Sequence, residues 1–118
     1  MNLESIREYC LRKKGVTEDF PFDEETLVFR VMGKIFLLVG IDPAEYINLK
    51  ADPEKAIEWR EQYEGVRPGY HMNKKHWNSV YLDGSVPDKM ILFMIDHSYE
   101  LIVSGLKRAD REKLNKKK

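Results

Sequence analysis

Between Arg67 and Trp77 the chain gathers Arg67, Tyr70, His71, Lys74, Lys75, His76 and Trp77 into eleven residues. Cations at this density neutralise phosphates, and aromatic rings among them offer faces on which exposed nucleobases stack. The stretch is therefore the best candidate for a nucleic-acid-binding surface, provided that its side chains face water. A purely structural account fits the same residues: Pro68-Gly69 forces a turn, Asn73 caps a single helical turn, and Trp77 opens a strand and buries its ring in the core.

The other reactive side chains are poorly arranged for catalysis. His71 and His76 stand five apart, an odd spacing that sends side chains of an extended chain to opposite faces and disfavours a shared metal unless the intervening turn redirects them. Asp96 and His97 are neighbours on a helix, about 100° apart, so a histidine–carboxylate relay lacks a third member. Cys10 lies on an apolar helical stripe, where burial raises the thiol pKa and makes it inert. Ser98 and Ser104 lack a G-x-S-x-G setting, and the glycines form no G-x-G-x-x-G or phosphate-loop string. No catalytic residue, metal ligand or cofactor site is expected, and the class that remains is a non-enzymatic binding protein. An enzyme or small-molecule site would have to use Arg67, His71, His76 and Asp83 around a cleft.

Charge is balanced but polarised. Twenty Lys and Arg offset twenty Asp and Glu, and the isoelectric point of about 6.8 is below that of a dedicated DNA binder. Residues 17–26 carry Glu18, Asp19, Asp23, Glu24 and Glu25 without a base, whereas residues 107–118 carry seven Lys or Arg against Asp110 and Glu112. The acidic run suits a hard cation but also a solvated linker. The lysine-rich end is either a solubilising tail or a steering element for a polyanion, which it would meet at the backbone without reading sequence.

The elements that position these residues follow from periodicity and punctuation. Leu3, Ile6 and Cys10 recur at helical spacing after a capping Asn2, which predicts a helix over 3–14 ending at Gly15. After an acidic linker, strands are expected at 26–32 and 34–39 about a Gly33 hairpin, and at 45–50. Asp52-Pro53 starts a helix over 53–63. Short strands at 66–71 and 76–82 flank Asn73-Lys74-Lys75, and a Ser85/Asp88 capping pair leads into a long helix over 87–106. Beyond it, KRADREKLNKKK reads as a fraying helical end or a disordered tail. The strands over 27–39 are apolar at nearly every position, so both sheet faces there must be covered by the chain itself or by a partner.

The result is an α+β domain, order α-β(3)-α-β(2)-α, over residues 1–106, with a basic C-terminal tail over 107–118. A chain of 118 residues with 42% hydrophobic and 34% charged residues supports one core and no second domain. No apolar stretch approaches the length of a membrane span, no signal-peptide pattern opens the chain, and a lone cysteine needs no oxidising compartment; a cytoplasmic location is expected.

The string GVRPGYHMNKKHWNSVYL at 65–82, followed by HSYELIVSGL at 97–106, resembles the MmcQ/YjbR family of small bacterial proteins over nearly the whole chain. The resemblance implies an antiparallel sheet covered by helices, related to secretion-chaperone-like and frataxin-like domains, and a DNA-binding label that rests on fold analogy. Two partner classes follow as expectations. One is DNA, met through Arg67–Trp77 and the tail; the other is a protein segment or a second copy of the chain docking on apolar sheet surface, as in a chaperone-like adaptor. The expected assembly is a monomer or a weak homodimer.

Overall fold

Each hairpin signal becomes antiparallel pairing, and most of the expected caps form, in the computed structural model, which describes residues 1–117. In chain order the elements are α1 (Leu3–Leu11), β1 (Val16–Asp19), β2 (Thr26–Val31), β3 (Lys34–Gly40), β4 (Tyr46–Lys50), α2 (Pro53–Gln62), β5 (Val66–Pro68), β6 (Trp77–Tyr81), α3 (Asp88–Ser104) and α4 (Arg108–Asn115). The strands form one six-stranded sheet in the order β1-β2-β3-β4-β6-β5, antiparallel throughout. This is the α+β class that the sequence indicates, with one strand and one helix more than the expected order. Among the described residues no helix is long and apolar enough to cross a membrane.

The added strand is β1. Its sequence, Val-Thr-Glu-Asp, reads as part of the acidic linker, yet it pairs with β2 from Val16↔Val31 to Asp19↔Val28. The charges are absorbed locally: Arg7 of α1 binds Glu18 at 2.7 Å, and Arg30 of β2 binds Asp19 at 3.1 Å. An edge strand with charged side chains also resists pairing with other chains. The added helix is α4, in the segment expected to fray or stay disordered. A single apolar side chain, Leu114, anchors it in the core at 4% exposure. Lys118, the end of the expected tail, lies outside the described residues.

Caps decide the helix boundaries. Asn2 and Ser5 form a reciprocal capping box on α1, and Asp52 accepts from the Glu54 and Lys55 amides ahead of Pro53. α1 stops at Leu11, short of the expected residue 14, and turns back through a left-handed Gly15. The expected Ser85/Asp88 cap does not form. Pro87 takes the N-cap position without a side-chain bond, and Ser85 is held instead by Asp83 at 2.6 Å.

Alternation assigns the two sheet faces. Leu27, Phe29, Leu37, Val39, Ile47 and Leu49 join the core that Ile6, Cys10, Trp59, Ile91 and Ile95 of the helices complete. A bulge in β3 sets Phe36 as an extra residue between the pairs Phe29↔Leu37 and Arg30↔Ile35, so Phe36 also turns inward and meets Tyr99 edge-on at 5.5 Å. Ser98 of α3 donates to the Phe36 carbonyl at 2.6 Å and accepts from the Lys50 amide at 2.9 Å, supplying partners to two groups beside the bulge. The opposite face carries one row across all strands, Asp19, Val28, Leu38, Asn48, Ser79 and Arg67. Here the loop between β5 and β6 lies over the sheet, bonded to the row at Asn48 and Ser79.

Candidate functional site

A polar stitch fixes one of those loops to the open face. Ser79 donates its hydroxyl to Asn48 Oδ1 at 2.5 Å, the Tyr70 amide donates to Ser79 Oγ at 2.9 Å, and Asn48 Nδ2 reaches the Tyr70 carbonyl at 3.4 Å. Asn48 and Ser79 are both buried, so the bond between them is shielded from competing water. Gly69 permits the close approach: a Cβ there would stand 2.9 Å from the Trp77 carbonyl oxygen. From the other side, Arg60 of α2 donates to Asn78 Oδ1 at 2.7 Å and to the Lys74 carbonyl. Asn73 Oδ1 accepts from the Lys75 and His76 amides, closing the single turn that the sequence indicates.

The pinned loop walls a groove of about 420 Å³ on the open face. Leu38, Ile35, Tyr46 and Trp77 line it together with Tyr70, His71, Met72 and, from the acidic loop, Phe22. Thr26 and Asn48 contribute polar atoms, and no Lys, Arg, Asp or Glu is among the lining residues. The rim is conspicuously apolar for a surface: Phe22 is 67% exposed and Tyr70 55%. Tyr70 meets Tyr46 edge-on at 6.1 Å and His71 at 4.0 Å. His71 holds a left-handed backbone, φ 59, a conformation that costs about 1–3 kcal/mol in a non-glycine residue and recurs at ligand clamps.

The sequence candidates divide between two environments. Tyr70, His71 and Trp77 enter the groove. Arg67, Lys74, Lys75 and His76 stay outside it. Arg67 is exposed and lies 4.6 Å over the Tyr81 ring, lining a separate shallow cleft with Glu45 and Asp83. Lys74 bends back to the Gly69 carbonyl at 2.9 Å. Lys75 projects into solvent with no side-chain partner among the described residues, and His76 is half-buried. Sequence reasoning missed Phe22, Ile35, Leu38 and Tyr46 as site residues; the two-faced apolar pattern of β3 was the signal for Ile35 and Leu38, whereas Phe22 lies in the acidic loop and Tyr46 at the start of β4.

The remaining reactive groups are spoken for. Cys10 is fully buried and its thiol is pushed up to about 12, chiefly by loss of solvation. Asp96 takes the Tyr9 hydroxyl at 2.7 Å and the Lys13 ammonium at 2.5 Å, and burial with this bond raises Tyr9 to about 12. His97 accepts the Asp52 amide through Nε2 at 3.1 Å, and burial holds its pKa below the ordinary value. Asp83 is held below the usual carboxylate range by the Ser85 hydroxyl and amide. The acidic run is dispersed: Glu18 and Asp19 are paired, and Asp23 is held low by the Glu25 and Thr26 amides that it accepts.

Three comparisons place this geometry among known proteins. The YjbR family model matches residues 11–101. The chain is 37% identical over 112 residues to the uncharacterized protein YbdF of Escherichia coli, covering 94% of this chain and 92% of YbdF. To YjbR of the same species it is 35% identical over 115 residues, covering 97% and 98%. The crystal structure of Deinococcus radiodurans DR2400, a DUF419 domain, superposes with a TM-score of 0.89 at 38% identity, covering 97% of this chain and 88% of that one.

Proposed function

The chain belongs to the YjbR family, and on its open sheet face we propose a non-catalytic recognition site for single-stranded nucleic acid. Bases enter the aromatic groove between Tyr46, Tyr70 and Trp77, and cations of the bordering strand and loop, Arg67 and Lys75 foremost, meet the phosphates. The observation that carries this reading is that one pinned segment, Arg67–Trp77, supplies both the groove's aromatic wall and the exposed cations beside it. Stacking on such rings contributes about 1–3 kcal/mol per base and tolerates any sequence, because every base has a π face. Duplex DNA fits less well, since its bases are already stacked. The burial of Cys10 supports a non-catalytic role, and a free thiol that needs no oxidising compartment supports a cytoplasmic one.

Fluorescence anisotropy of labelled single-stranded and duplex oligonucleotides at low salt tests the proposal. Single strands bind more tightly, and log affinity falls linearly with log salt. Lys75→Glu weakens binding and flattens that slope by about 0.7, the loss of one phosphate contact. Lys74→Glu also acts through the loop, because Lys74 holds the Gly69 carbonyl. Absence of binding to either form at low salt removes the nucleic-acid reading.

A second reading rests on a different observation: among the described residues no charged side chain lines the groove, and Phe22 and Tyr70 expose large apolar surfaces at its rim. An adaptor for a protein segment would use the same face, with an aromatic or aliphatic side chain seated where a base would be. It predicts either self-association or a bound protein partner. Sedimentation equilibrium that finds a monomer at high concentration, together with saturable oligonucleotide binding, decides against it.

A further inference from the structure

Where α1 passes into β1, Arg12, Lys14 and Lys117 stand around an open cleft of about 480 Å³ that also includes Gly15, Val16 and Thr17. These cations come from opposite ends of the chain, and a specific packing device joins them. Gly15 is left-handed, and a Cβ on it would lie 2.6 Å from Leu114 Cδ1. Its missing side chain is what lets α4 seat Leu114 in the core and lay Lys117 beside the turn.

Lys13, though it lines the same cleft, is committed elsewhere, to the Asp96 carboxylate and the faces of Tyr9 and Tyr99. Among the described residues, Arg12, Lys14 and Lys117 form no ion pair and no carboxylate lines the cleft. Cations gathered without a counter-charge attract an anion that spans them, and a guanidinium beside ammonium groups suits phosphate oxygens in particular. The Thr17 hydroxyl adds a neutral donor at the same opening.

We infer that this cleft is a second recognition site, for a compact phosphate-bearing anion, distinct from the open-face groove. The two share no lining residue, and where they come nearest along the sheet, Thr17 of the cleft and Ile35 of the groove flank Arg30 in one row, two strand spacings or roughly 10 Å apart. The phosphate belongs either to a free phosphorylated compound or to a nucleic-acid backbone that already occupies the groove.

Nitrogen-15 NMR of the full chain distinguishes these. Inorganic tripolyphosphate moves the Gly15 and Thr17 amides saturably, and Arg12→Gln/Lys14→Gln weakens that binding at least tenfold. Lys117→Gln, which leaves α1 and β1 intact, weakens it about threefold. A single-stranded oligonucleotide that shifts Gly15 together with the Trp77 indole identifies backbone phosphate as the ligand; one that leaves Gly15 still identifies a free phosphorylated compound. The inference is overturned if tripolyphosphate leaves Gly15 and Thr17 unmoved. It is equally overturned if the variants change thermal stability but bind tripolyphosphate like the wild type, because the cations then serve only the helix ends. Trp77 reports the groove independently, so failure of the cleft and failure of the groove are separate results.

Discussion

Replacing Asn48 with leucine tests whether the groove wall is held by the buried stitch or merely rests on the sheet. The two side chains are close in size, so the change removes hydrogen bonds more than volume. Asn48 loses its bond from the Ser79 hydroxyl and its weaker bond to the Tyr70 carbonyl. At about 1 kcal/mol per bond, with a further 1–3 kcal/mol where a buried partner stays unpaired, the gross loss is about 3 kcal/mol; burying leucine offsets about 1 kcal/mol. The Tyr70 carbonyl borders the groove and regains water, so the net destabilisation is about 2 kcal/mol. Urea unfolding followed by tryptophan fluorescence then shows a midpoint lowered by roughly 1 M, for an m-value of about 1.5–2 kcal/mol/M. Native-state hydrogen exchange localises the effect: the Tyr70 amide, bonded to Ser79 Oγ, exchanges faster than the amides of β2. Combining Asn48→Leu with Ser79→Ala gives a double-mutant cycle with coupling of about 1 kcal/mol. A midpoint within about 0.2 M of wild type, with Tyr70 exchange unchanged, refutes the reasoning that the loop is held by these bonds.

Other consequences follow from buried polar and titratable groups. Ser98→Ala strands the Phe36 carbonyl and the Lys50 amide beside the β3 bulge, and chemical denaturation should register a loss of about 2–3 kcal/mol; a loss below about 0.5 kcal/mol shows that other partners replace the hydroxyl. Burial depresses the His97 pKa in the folded chain, so between that value and the ordinary one of about 6.5 the unfolded chain binds more protons. Stability is complete above that window and declines as pH falls through it, and His97→Gln, which keeps an acceptor for the Asp52 amide, flattens the decline. Equal slopes in the two proteins exclude His97 as the source. Cys10, with its thiol raised to about 12, stays unmodified by a disulfide reagent near pH 8 in the native chain and reacts fully in concentrated guanidinium; rapid labelling of the folded protein contradicts its burial.

Much of this architecture was legible because local signals agreed with the global fold. Asn2 and Asp52 announce their helices, and Gly33, with Met32 before it, supplies the pair of positive φ angles of a tight hairpin. Ile47 and Leu49 alternate inward in the strand expected at 45–50. Asn48, on the opposite face, is buried as well, which alternation alone does not reveal because the loop over it comes from residues distant in sequence. β1 was illegible: its Glu18 and Asp19 look like linker until Arg7 and Arg30 are seen beside them. α4 carries one apolar anchor among charges, and a single Leu114 makes no periodicity. For the site, the sequence points to the right loop but treats its residues as one surface. The division into groove-facing Tyr70, His71 and Trp77 and solvent-facing Arg67 and Lys75 depends on the left-handed turn at His71 and on Arg60, which reads as an ordinary helix-surface base.

Titration of intrinsic tryptophan fluorescence with a single-stranded oligonucleotide at low salt tests the recognition site most directly. Trp59 is buried in the core and Trp77 lines the groove, so stacking of a base quenches Trp77 alone. A saturable quench is expected, which Trp77→Phe abolishes and added salt weakens. A quench that persists in Trp77→Phe, or fluorescence unchanged at every oligonucleotide concentration, contradicts it.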